Sequence, residues 1–375
     1  MPRCLSLRLR APHALAAVLS LAVFAAAAQP ASSPQSRPAA PVAGGAAAAT
    51  RASAPATAAR PAASAAAQRA TAANRVPATP WPTKPLKIMV GFPGGSTPDV
   101  AARILADGLS KSLNQNVIVE NRPGASGNIA ADLVAKATDD HTLGLVINGN
   151  LSSAKLLNPK LPFDPARDFA MLSLVANAPL VLVTQPDKPS GADFFLAARN
   201  AGDKWNYGSV GIGSAGHLGV ELLKSRAGNF GATHVPYPGN PQVITALLAG
   251  DVQMALIPPG LALPQVRAGK LKAVGLTTGR STLAPDIPPL SDAGVRGFEM
   301  DVFVALVGPA RLSAAVQARI ADEASAIARS PEMRQRFFNA GWTPVGGSPE
   351  GLRARVRNET NLLGGIIMIR GIKAE

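Results

Sequence analysis

The sequence predicts an α/β fold with a mostly parallel sheet. Short apolar runs rich in Val, Ile and Leu, such as those at 84–90 and 143–147, are typical of buried strands. Most of these runs lead into a loop containing Gly, Pro or Asn, and a helix signal then follows. Strands that alternate with helices in this way form parallel sheets, and ligands bind at the carboxyl ends of their strands.

The elements follow from local signals taken in chain order. After the strand at 84–90, a helix is predicted to begin with Thr97 as its N-cap and Pro98 in its first turn. Apolar periodicity predicts the other elements. The further strands are predicted at 117–120, 143–147, 180–183, 205–209, 234–237 and 252–257. The further helices are predicted at 129–137, 194–200, 215–226, 241–249, 314–328 and 332–339.

The first 80 residues differ in composition from the rest. Arg3, Arg8 and Arg10 precede an apolar run at 14–28 that ends in Ala26-Ala27-Ala28, and this pattern predicts a secretory signal peptide over 1–28. The run is shorter than the roughly 20 apolar residues of a membrane-spanning helix. Residues 29–80 are nearly all Ala, Pro, Ser, Thr and Arg, which predicts a disordered linker.

The net charge of the chain does not indicate nucleic-acid binding. The chain has 37 Lys and Arg against 23 Asp and Glu, a formal charge of +14. Residues 1–80 hold 8 Arg and no acid, so the remainder carries 29 minus 23, or +6. A mild excess of this kind suits a small anionic ligand and excludes a nucleic-acid footprint. We therefore expect no nucleic-acid partner.

Thiol and metal chemistry are also excluded on composition. The single cysteine, Cys4, lies in the predicted signal peptide, and the four histidines have no partners at metal-ligand spacing. We therefore predict neither a metal site nor a cofactor.

Three glycine-containing loops each join a strand to a helix start. They lie at 93–97, 208–216 and 238–240. Glycines let the backbone approach a ligand, and the free N–H groups of a helix N-terminus favour a carboxylate or phosphate. Each loop alone also fits a tight turn or a cap. Three such loops in one α/β chain favour a shared anion site.

The loop at 211–216 matches the dinucleotide motif G-x-G-x-x-G. That motif also requires an acidic residue about 20 positions later. Residues 229–240 contain none, and the motif lies in mid-chain. We therefore expect no nicotinamide or flavin site.

Several polar residues leave alternatives open. A Ser-His-Asp triad assembles in space and is not visible in sequence, but we do not expect Ser209 or Ser214 to lie within hydrogen-bond reach of His217 or His234 with an acid behind that histidine. His217 fits a ligand donor and a half-buried structural histidine equally well. Asp99 fits an acceptor for a ligand or water, or a favourable acid in a first helical turn.

Five segments together resemble the Bug-type, or TctC-like, receptors of tripartite tricarboxylate transporters. The resemblance spans roughly 81–372. The segments are 91–99 (GFPGGSTPD) followed by Ala102-Arg103, 119–129 (VENRPGASGNI), 161–169 (LPFDPARDF), 234–237 (HVPY) and 269–271 (GKL). The chain departs from the family pattern at 139–142 and at Asn148-Gly149-Asn150, where small hydroxyl residues are usual.

The resemblance implies a two-lobe periplasmic-binding-protein fold of the type II-like Venus-flytrap kind. The chain would cross between lobes near Gln185 and near Val302, so that 81–185 with 303–375 forms lobe 1 and 186–302 forms lobe 2. It also implies a periplasmic receptor, expected to be monomeric and without enzymatic activity. This receptor would capture a small carboxylate by lobe closure and deliver it to the membrane permease subunits of a tripartite transporter. A ligand-sensing partner of a signalling receptor and a secreted hydrolase are the alternatives.

The ligand-binding residues expected from the loops and the resemblance come from both lobes. They are Phe92, Pro93, Gly94, Gly95, Ser96, Thr97, Asp99, Ser126, Gly127, Asn128, Asn148, Asn150, Ser209, Gly211, Gly213, Ser214, His217 and Tyr237.

Overall fold

The structure is a computed structural model that describes residues 81–373. The predicted signal peptide at 1–28 and linker at 29–80 lie outside the described residues. In the described part of the chain, no helix combines the length and apolar character needed to span a membrane.

The described residues form eleven strands in two sheets. The strands are β1 Leu86–Val90, β2 Val117–Asn121, β3 Thr142–Ile147, β4 Phe169–Pro179, β5 Val181–Thr184, β6 Asn206–Ser209, β7 Thr233–Pro236, β8 Met254–Ile257, β9 Lys272–Leu276, β10 Asp301–Pro309 and β11 Thr343–Pro344. The first sheet has the order β11-β4-β10-β3-β1-β2, and the second has the order β7-β6-β8-β5-β9.

Helices pack on these sheets. They are α1 Thr97–Leu113, α2 Asn128–Ala135, α3 Asn148–Leu151, α4 Ala154–Leu157, α5 Gly191–Ala201, α6 Ala215–Arg226, α7 Asn240–Ala249, α8 Pro259–Arg267, α9 Ala314–Arg329, α10 Pro331–Asn339 and α11 Pro349–Arg370. Two short 3₁₀ turns lie at Ala125–Gly127 and Leu290–Ala293. The two sheets with their helices make two α/β lobes.

The prediction of a mostly parallel sheet is only half right. β1 pairs in parallel with β2 and β3, and β6 pairs in parallel with β7 and β8. The other strand pairs are antiparallel, because β5, β10 and β11 run opposite to the remaining strands of their sheets. β4 and β10 carry the chain toward and away from the second lobe, so they run antiparallel to each other.

The chain passes between the lobes at two adjacent points. β4 ends at Pro179 in the first sheet, and β5 begins at Val181 in the second. The return passes from Met300 into β10, whose first residue, Asp301, pairs with Pro179. The first crossing therefore precedes β5, whereas the predicted boundary near Gln185 assigns that strand to the first lobe.

Thr277 holds the two crossings together. Its Oγ accepts from the backbone N–H of Leu180 at 2.8 Å and donates to the carbonyl of Met300 at 2.5 Å. The Thr277 backbone adds a hydrogen bond to each of these residues, and its side chain is buried. This threonine fixes the point about which the lobes meet.

Helix α11 spans the lobe boundary. It packs on β4 of the first sheet and on α6 of the second lobe. Arg355 near its start pairs with Asp301 at the return crossing, and Arg370 at its end pairs with Glu221 of α6. The helix begins at the N-cap Ser348, whose Oγ accepts from Gly351 N at 3.1 Å, and it ends at Gly371 in the left-handed region.

Candidate functional site

Three helices begin at one cavity between the lobes. The cavity is lined by Ser96 and Thr97 at the start of α1, by Ser214 and Ala215 at the start of α6, and by Asn240 at the start of α7. The first N–H groups of a helix have no partner inside the helix, and the helix dipole makes this end positive. Three such ends at one cavity favour a bound anion.

The rest of this cavity is apolar. Its remaining lining residues are Phe92, Pro98, Ile147, Leu180, Val210, Gly216, Leu256, Pro258, Val302 and Trp342. Among the described residues that line it, none has a charged side chain. Backbone N–H groups and neutral polar side chains are therefore what this part of the chain offers to an anion.

Ser96 has a buried hydroxyl without a hydrogen-bond partner among the described residues. Its side chain is 1% exposed, and it is the N-cap of α1 without making a cap hydrogen bond. Ser214, the corresponding N-cap of α6, accepts from the backbone N–H of His217 at 3.3 Å. A buried hydroxyl left unpaired costs about 1–3 kcal/mol, so an acceptor bound at Ser96 would recover that cost.

The two lobes touch directly around the cavity. Asn240 Nδ2 donates to Thr97 Oγ1 at 3.0 Å, and Ser153 Oγ donates to the carbonyl of Gly213 at 2.6 Å. The lobes are also close at Gly211, where an added Cβ would lie 2.2 Å from the hydroxyl of Ser126. The structure is therefore a closed arrangement of the lobes.

A second, smaller cavity lies beside the first and shares Ile147 and Ser214 with it. Its polar lining includes Ser126, Asn128 and Asn150. Asn150 Nδ2 donates to Ser126 O at 3.0 Å and to Asn128 Oδ1 at 2.9 Å, and its Oδ1 accepts from Ile147 N at 3.2 Å. These groups satisfy one another and fix the turn at Ala125–Gly127, where Ser126 has a φ of 56°.

The predicted ligand residues divide into two groups by position. Those that line one of the two cavities are Phe92, Ser96, Thr97, Ser126, Asn128, Asn150, Gly213 and Ser214. Those that do not line either are Pro93, Gly94, Gly95, Asp99, Gly127, Asn148, Ser209, Gly211, His217 and Tyr237. Asn148 instead lines a separate cleft against α11, where its Nδ2 donates to Glu359 at 2.6 Å. A ligand role for any of these residues remains a prediction.

Asp99 makes structural hydrogen bonds. Its carboxylate accepts from Arg103 at 2.9 and 3.0 Å, from Asn121 Nδ2 at 2.8 Å and from the Gly95 N–H at 2.9 Å. Burial alone would raise the pKa of this carboxyl, but these donors hold the pKa below its usual range. The carboxylate thereby shapes the loop that precedes α1.

One serine of the predicted set lies within hydrogen-bond reach of a histidine. Ser209 Oγ lies 2.7 Å from His234 Nε2. The parallel pairing places Tyr207 opposite His234, so Ser209, two residues further on, lies on the same face of the sheet. The sequence could not show this, because the contact depends on the register between β6 and β7.

This Ser–His pair lacks the features of a catalytic pair. The hydroxyl of Ser209 is buried and also bonds the Gly211 N–H, the Gly211 carbonyl and Ser214 Oγ at 3.1, 3.1 and 3.3 Å. In the described part of the chain, no carboxylate bonds the ring of His234. Residues 81–373 also contain no group of three His, Cys, Asp or Glu side chains that could hold a metal.

His217 and His234 form a buried stack with ring centroids 4.1 Å apart. His217 Nδ1 accepts from the Gly213 N–H at 3.0 Å, which anchors the glycine-rich loop to α6. Burial lowers the pKa of His217 to about 4, despite the opposing effect of Glu221, and burial together with His217 lowers that of His234 to about 3. Both rings are therefore neutral at pH 7.

Sequence reasoning missed much of the apolar lining. Trp342 lies about 245 positions from Thr97, yet its Nε1 donates to the carbonyl of Thr97 at 3.3 Å. Pro258 follows β8, and Leu180 and Val302 adjoin the two crossings. Other lining residues that were not predicted, namely Val210, Ala215, Gly216 and Asn240, carried a usable signal, since they lie in the second and third glycine-containing loops.

Two α/β lobes joined by two crossings, with helix N-termini meeting at a cavity between them, define a two-lobe solute-binding protein. The model of the tripartite tricarboxylate transporter family receptors, TctC, matches residues 101–372. The chain belongs to this family of periplasmic solute-binding receptors, as its loop segments predicted.

Relatives and solved structures agree with this assignment. The protein BugT of Bordetella pertussis is 32% identical over 313 residues, covering 81% of this chain and 94% of that relative. An R. palustris protein solved with adipate, Rpa4515, has a TM-score of 0.74 at 30% identity and covers 78% of this chain and 99% of its own.

Another neighbour, MatC from Rhodopseudomonas palustris with bound malate, has a TM-score of 0.72 at 27% identity, covering 76% of this chain and 100% of its own. The family and these neighbours are substrate-binding receptors, so this chain is a receptor and not an enzyme.

Proposed function

We propose that this receptor binds a small carboxylate between its lobes in the periplasm and delivers it to the membrane permease subunits of a tripartite transporter. The observation that carries the proposal is the cavity at which α1, α6 and α7 all begin, with the unpartnered hydroxyl of Ser96 in its wall. An anion there gains hydrogen bonds and three favourable helix dipoles without a charged side chain.

The chemistry of the neighbours supports a carboxylate as the anion. One was solved with adipate and another with malate, both dicarboxylates. The proposal requires binding alone, with no covalent step. Export would depend on the signal peptide predicted over 1–28, and delivery would depend on the surface that the closed lobes present.

We propose that closure moves two lobes as units, one formed by 81–179 with 301–373 and the other by 180–300. These boundaries differ by a few residues from the predicted ones, because β5 pairs with β8 and β9. The contacts Asn240–Thr97 and Ser153–Gly213 would form on closure, since each joins one lobe to the other.

Binding is tested by thermal-shift screening of the purified chain against a panel of mono- and dicarboxylates, followed by calorimetric titration. A ligand present at one hundred times its Kd stabilises the folded state by about 2.7 kcal/mol, so a true ligand raises the melting temperature measurably. The absence of any response across linear, branched and aromatic carboxylates would contradict the proposed function.

Delivery is tested separately by uptake into membrane vesicles that contain the permease subunits. The expected result is carboxylate uptake that depends on added receptor. If the chain binds the carboxylate but does not change uptake, the proposed transport role is contradicted while the binding role stands. That result is expected of a ligand-sensing partner of a signalling receptor.

A further inference from the structure

Helix α11 is attached to both lobes, at different points along its length. In its first half, Arg355 pairs with Asp301 at the return crossing, and Glu359 accepts from Asn148 Nδ2 at 2.6 Å. Leu352 in the same half is buried in an apolar cluster whose other members all come from the first lobe, 81–179 with 301–373. The first half of the helix is therefore part of the first lobe.

The last turn of α11 is attached to the second lobe instead. Arg370 Nε donates to Glu221 Oε2 of α6 at 3.1 Å, and Glu221 is buried. The other carboxylate oxygen of Glu221 accepts from Tyr207 Oη at 2.7 Å and from Lys224 Nζ at 2.6 Å. These two donors fix the carboxylate within the second lobe, so its ion pair with Arg370 anchors the end of α11 there.

Two consecutive glycines, Gly364 and Gly365, lie between these anchors in a continuous helix. Neither has a positive φ. An added Cβ would meet no atom within 4 Å at Gly365, and at Gly364 it would meet Leu156 Cδ1 at an ordinary 3.7 Å. Glycine destabilises a helix interior relative to alanine. The closed arrangement therefore gives no packing or backbone reason for glycine at either position.

Opening of the lobes would act on α11 at exactly this point. If the helix stayed a rigid rod in the first lobe, Arg370 would have to withdraw from Glu221 and leave a buried carboxylate with one cation fewer, which is costly. A bend between the anchors lets both persist. Domain hinges consist of a few residues that absorb a large change in backbone dihedrals, and glycine is the residue that does so with least strain.

We propose that α11 is a jointed third connection between the lobes, which bends at Gly364-Gly365 when they open, so that 366–373 moves with the second lobe. The two glycines keep the open form accessible to the ligand-free receptor, and closure straightens the helix. This goes beyond the proposed function and does not depend on which anion closes the lobes.

The test measures distances between pairs of spin labels in the ligand-free mature chain. Cys4, the single cysteine, lies in the predicted signal peptide, so introduced cysteines are the only labelling sites. Exposed sites are Ile118 in the first lobe, Leu196 in the second and Met368 near the end of α11. Pulsed electron paramagnetic resonance on the Ile118→Cys/Leu196→Cys pair is expected to show a short distance from closed chains and a long one from open chains.

The pairs that include Met368→Cys locate the bend. Met368→Cys with Ile118→Cys is expected to show two distances, as the lobe pair does, whereas Met368→Cys with Leu196→Cys is expected to show one. The reverse pattern would mean that the whole helix stays with the first lobe, and it would overturn the proposal. A lobe pair with only the short distance would also overturn it, because the glycines would then not keep the open form accessible.

Stiffening the joint provides an independent check with the same lobe pair. Gly364→Ala/Gly365→Ala is expected to lower the open fraction by about threefold or more, because alanine favours a straight helix. Gly351→Ala is the matched control, since its methyl group joins the first turn of α11 and meets only Ser348 Oγ, at 3.4 Å. Equal open fractions in the two variants would overturn the proposal and, since no ligand is added, would leave carboxylate binding standing.

Discussion

The buried hydroxyl of Ser96, the N-cap of α1, has no hydrogen-bond partner among the described residues, whereas the N-cap serines of α6, α9, α10 and α11 each accept from a backbone N–H of their own helix. Removing it therefore costs the empty protein nothing in hydrogen bonds. A bound carboxylate, in contrast, would lose one charge-assisted hydrogen bond if this hydroxyl were removed. Substitution of Ser96 should therefore lower ligand affinity without lowering folding stability.

Ser96→Ala is expected to leave the melting temperature of the ligand-free chain unchanged or slightly raised. A hydrogen bond to a charged group contributes about 1.5–3 kcal/mol, so carboxylate affinity measured by calorimetry should fall at least tenfold. Ser190→Ala is the matched control, since Ser190 caps α5 without a side-chain hydrogen bond and lies away from the cavity. A loss of affinity equal in the two variants would contradict a ligand contact at Ser96.

His217 and His234 predict a pH dependence of folding stability. In the unfolded chain both rings take up protons near pH 6.5, whereas the folded protein resists protonation until about pH 4 and about pH 3. Stability is therefore fully present above pH 6.5 and falls as the pH is lowered, by up to about 1.4 kcal/mol per unit and per ring.

The measurement is denaturant unfolding at pH 7.5, 6 and 5 for the parent and for a His217→Gln/His234→Gln double variant. Buried Glu359, whose pKa burial raises to about 7, acts in the opposite direction, but it is present in both proteins and cancels in the difference. A difference in unfolding free energy that does not change with pH would contradict neutral buried rings.

Single residues were predictable where one local role explains them. For Asp99 in the first turn of α1, the sequence left open a ligand contact or a structural role in the helix start. Its hydrogen bonds to Arg103 and Gly95 fit the structural role. The Ser209–His234 contact and the place of Trp342 were not predictable, because both depend on pairing between segments distant along the chain.

Elements with explicit start signals were predicted closely. Helix α6 was predicted at 215–226 and is observed at Ala215–Arg226. The start of α1 was predicted one residue too late, because Ser96 is its N-cap and Thr97, the predicted N-cap, is its first helical residue. β4, β9, β10, β11, α3, α4, α8 and α11 were not predicted. β4 is a long strand without a following helix, α8 contains Pro264, and α11 begins in a strongly polar stretch.

Helix α3 tests whether lobe closure matters for binding. A Cβ added at Gly149 would lie 2.9 Å from the Gly213 carbonyl in the opposite lobe. Gly149→Ala is therefore expected to hinder closure and to weaken carboxylate binding about tenfold, with little change in the stability of the ligand-free chain.

Gly279→Ala is the control, because its added Cβ meets no atom within 4 Å. Small-angle scattering should show ligand-induced compaction in the control and reduced compaction in Gly149→Ala. Unchanged affinity in both variants would contradict closure around the ligand.

At the scale of the whole molecule, the two crossings set how the lobes meet. Thr277 joins Leu180 to Met300, and Arg355 of α11 pairs with Asp301 next to the same point. The α/β class followed from strand–helix alternation, and the two-lobe arrangement followed from the resemblance of the loop segments. The position of the crossings required the strand pairing itself.

Thr277→Val is expected to lower the free energy of unfolding by about 1–3 kcal/mol, because the buried Leu180 N–H loses its side-chain partner. Thr245→Val is the control, since Thr245 is exposed and bonds only within its own helix, and its effect should stay within about 0.5 kcal/mol. Denaturant unfolding measures both. An equal effect of the two changes would contradict the role of Thr277 at the crossings.

The binding of a carboxylate between the lobes is tested most directly by a crystal structure of the chain with the ligand selected by titration. The expected result is a carboxylate oxygen within about 3 Å of Ser96 Oγ and of N–H groups at the starts of α1 and α6. A ligand bound outside the lobe boundary, or one whose carboxylate lies away from these helix starts, would contradict the proposed site.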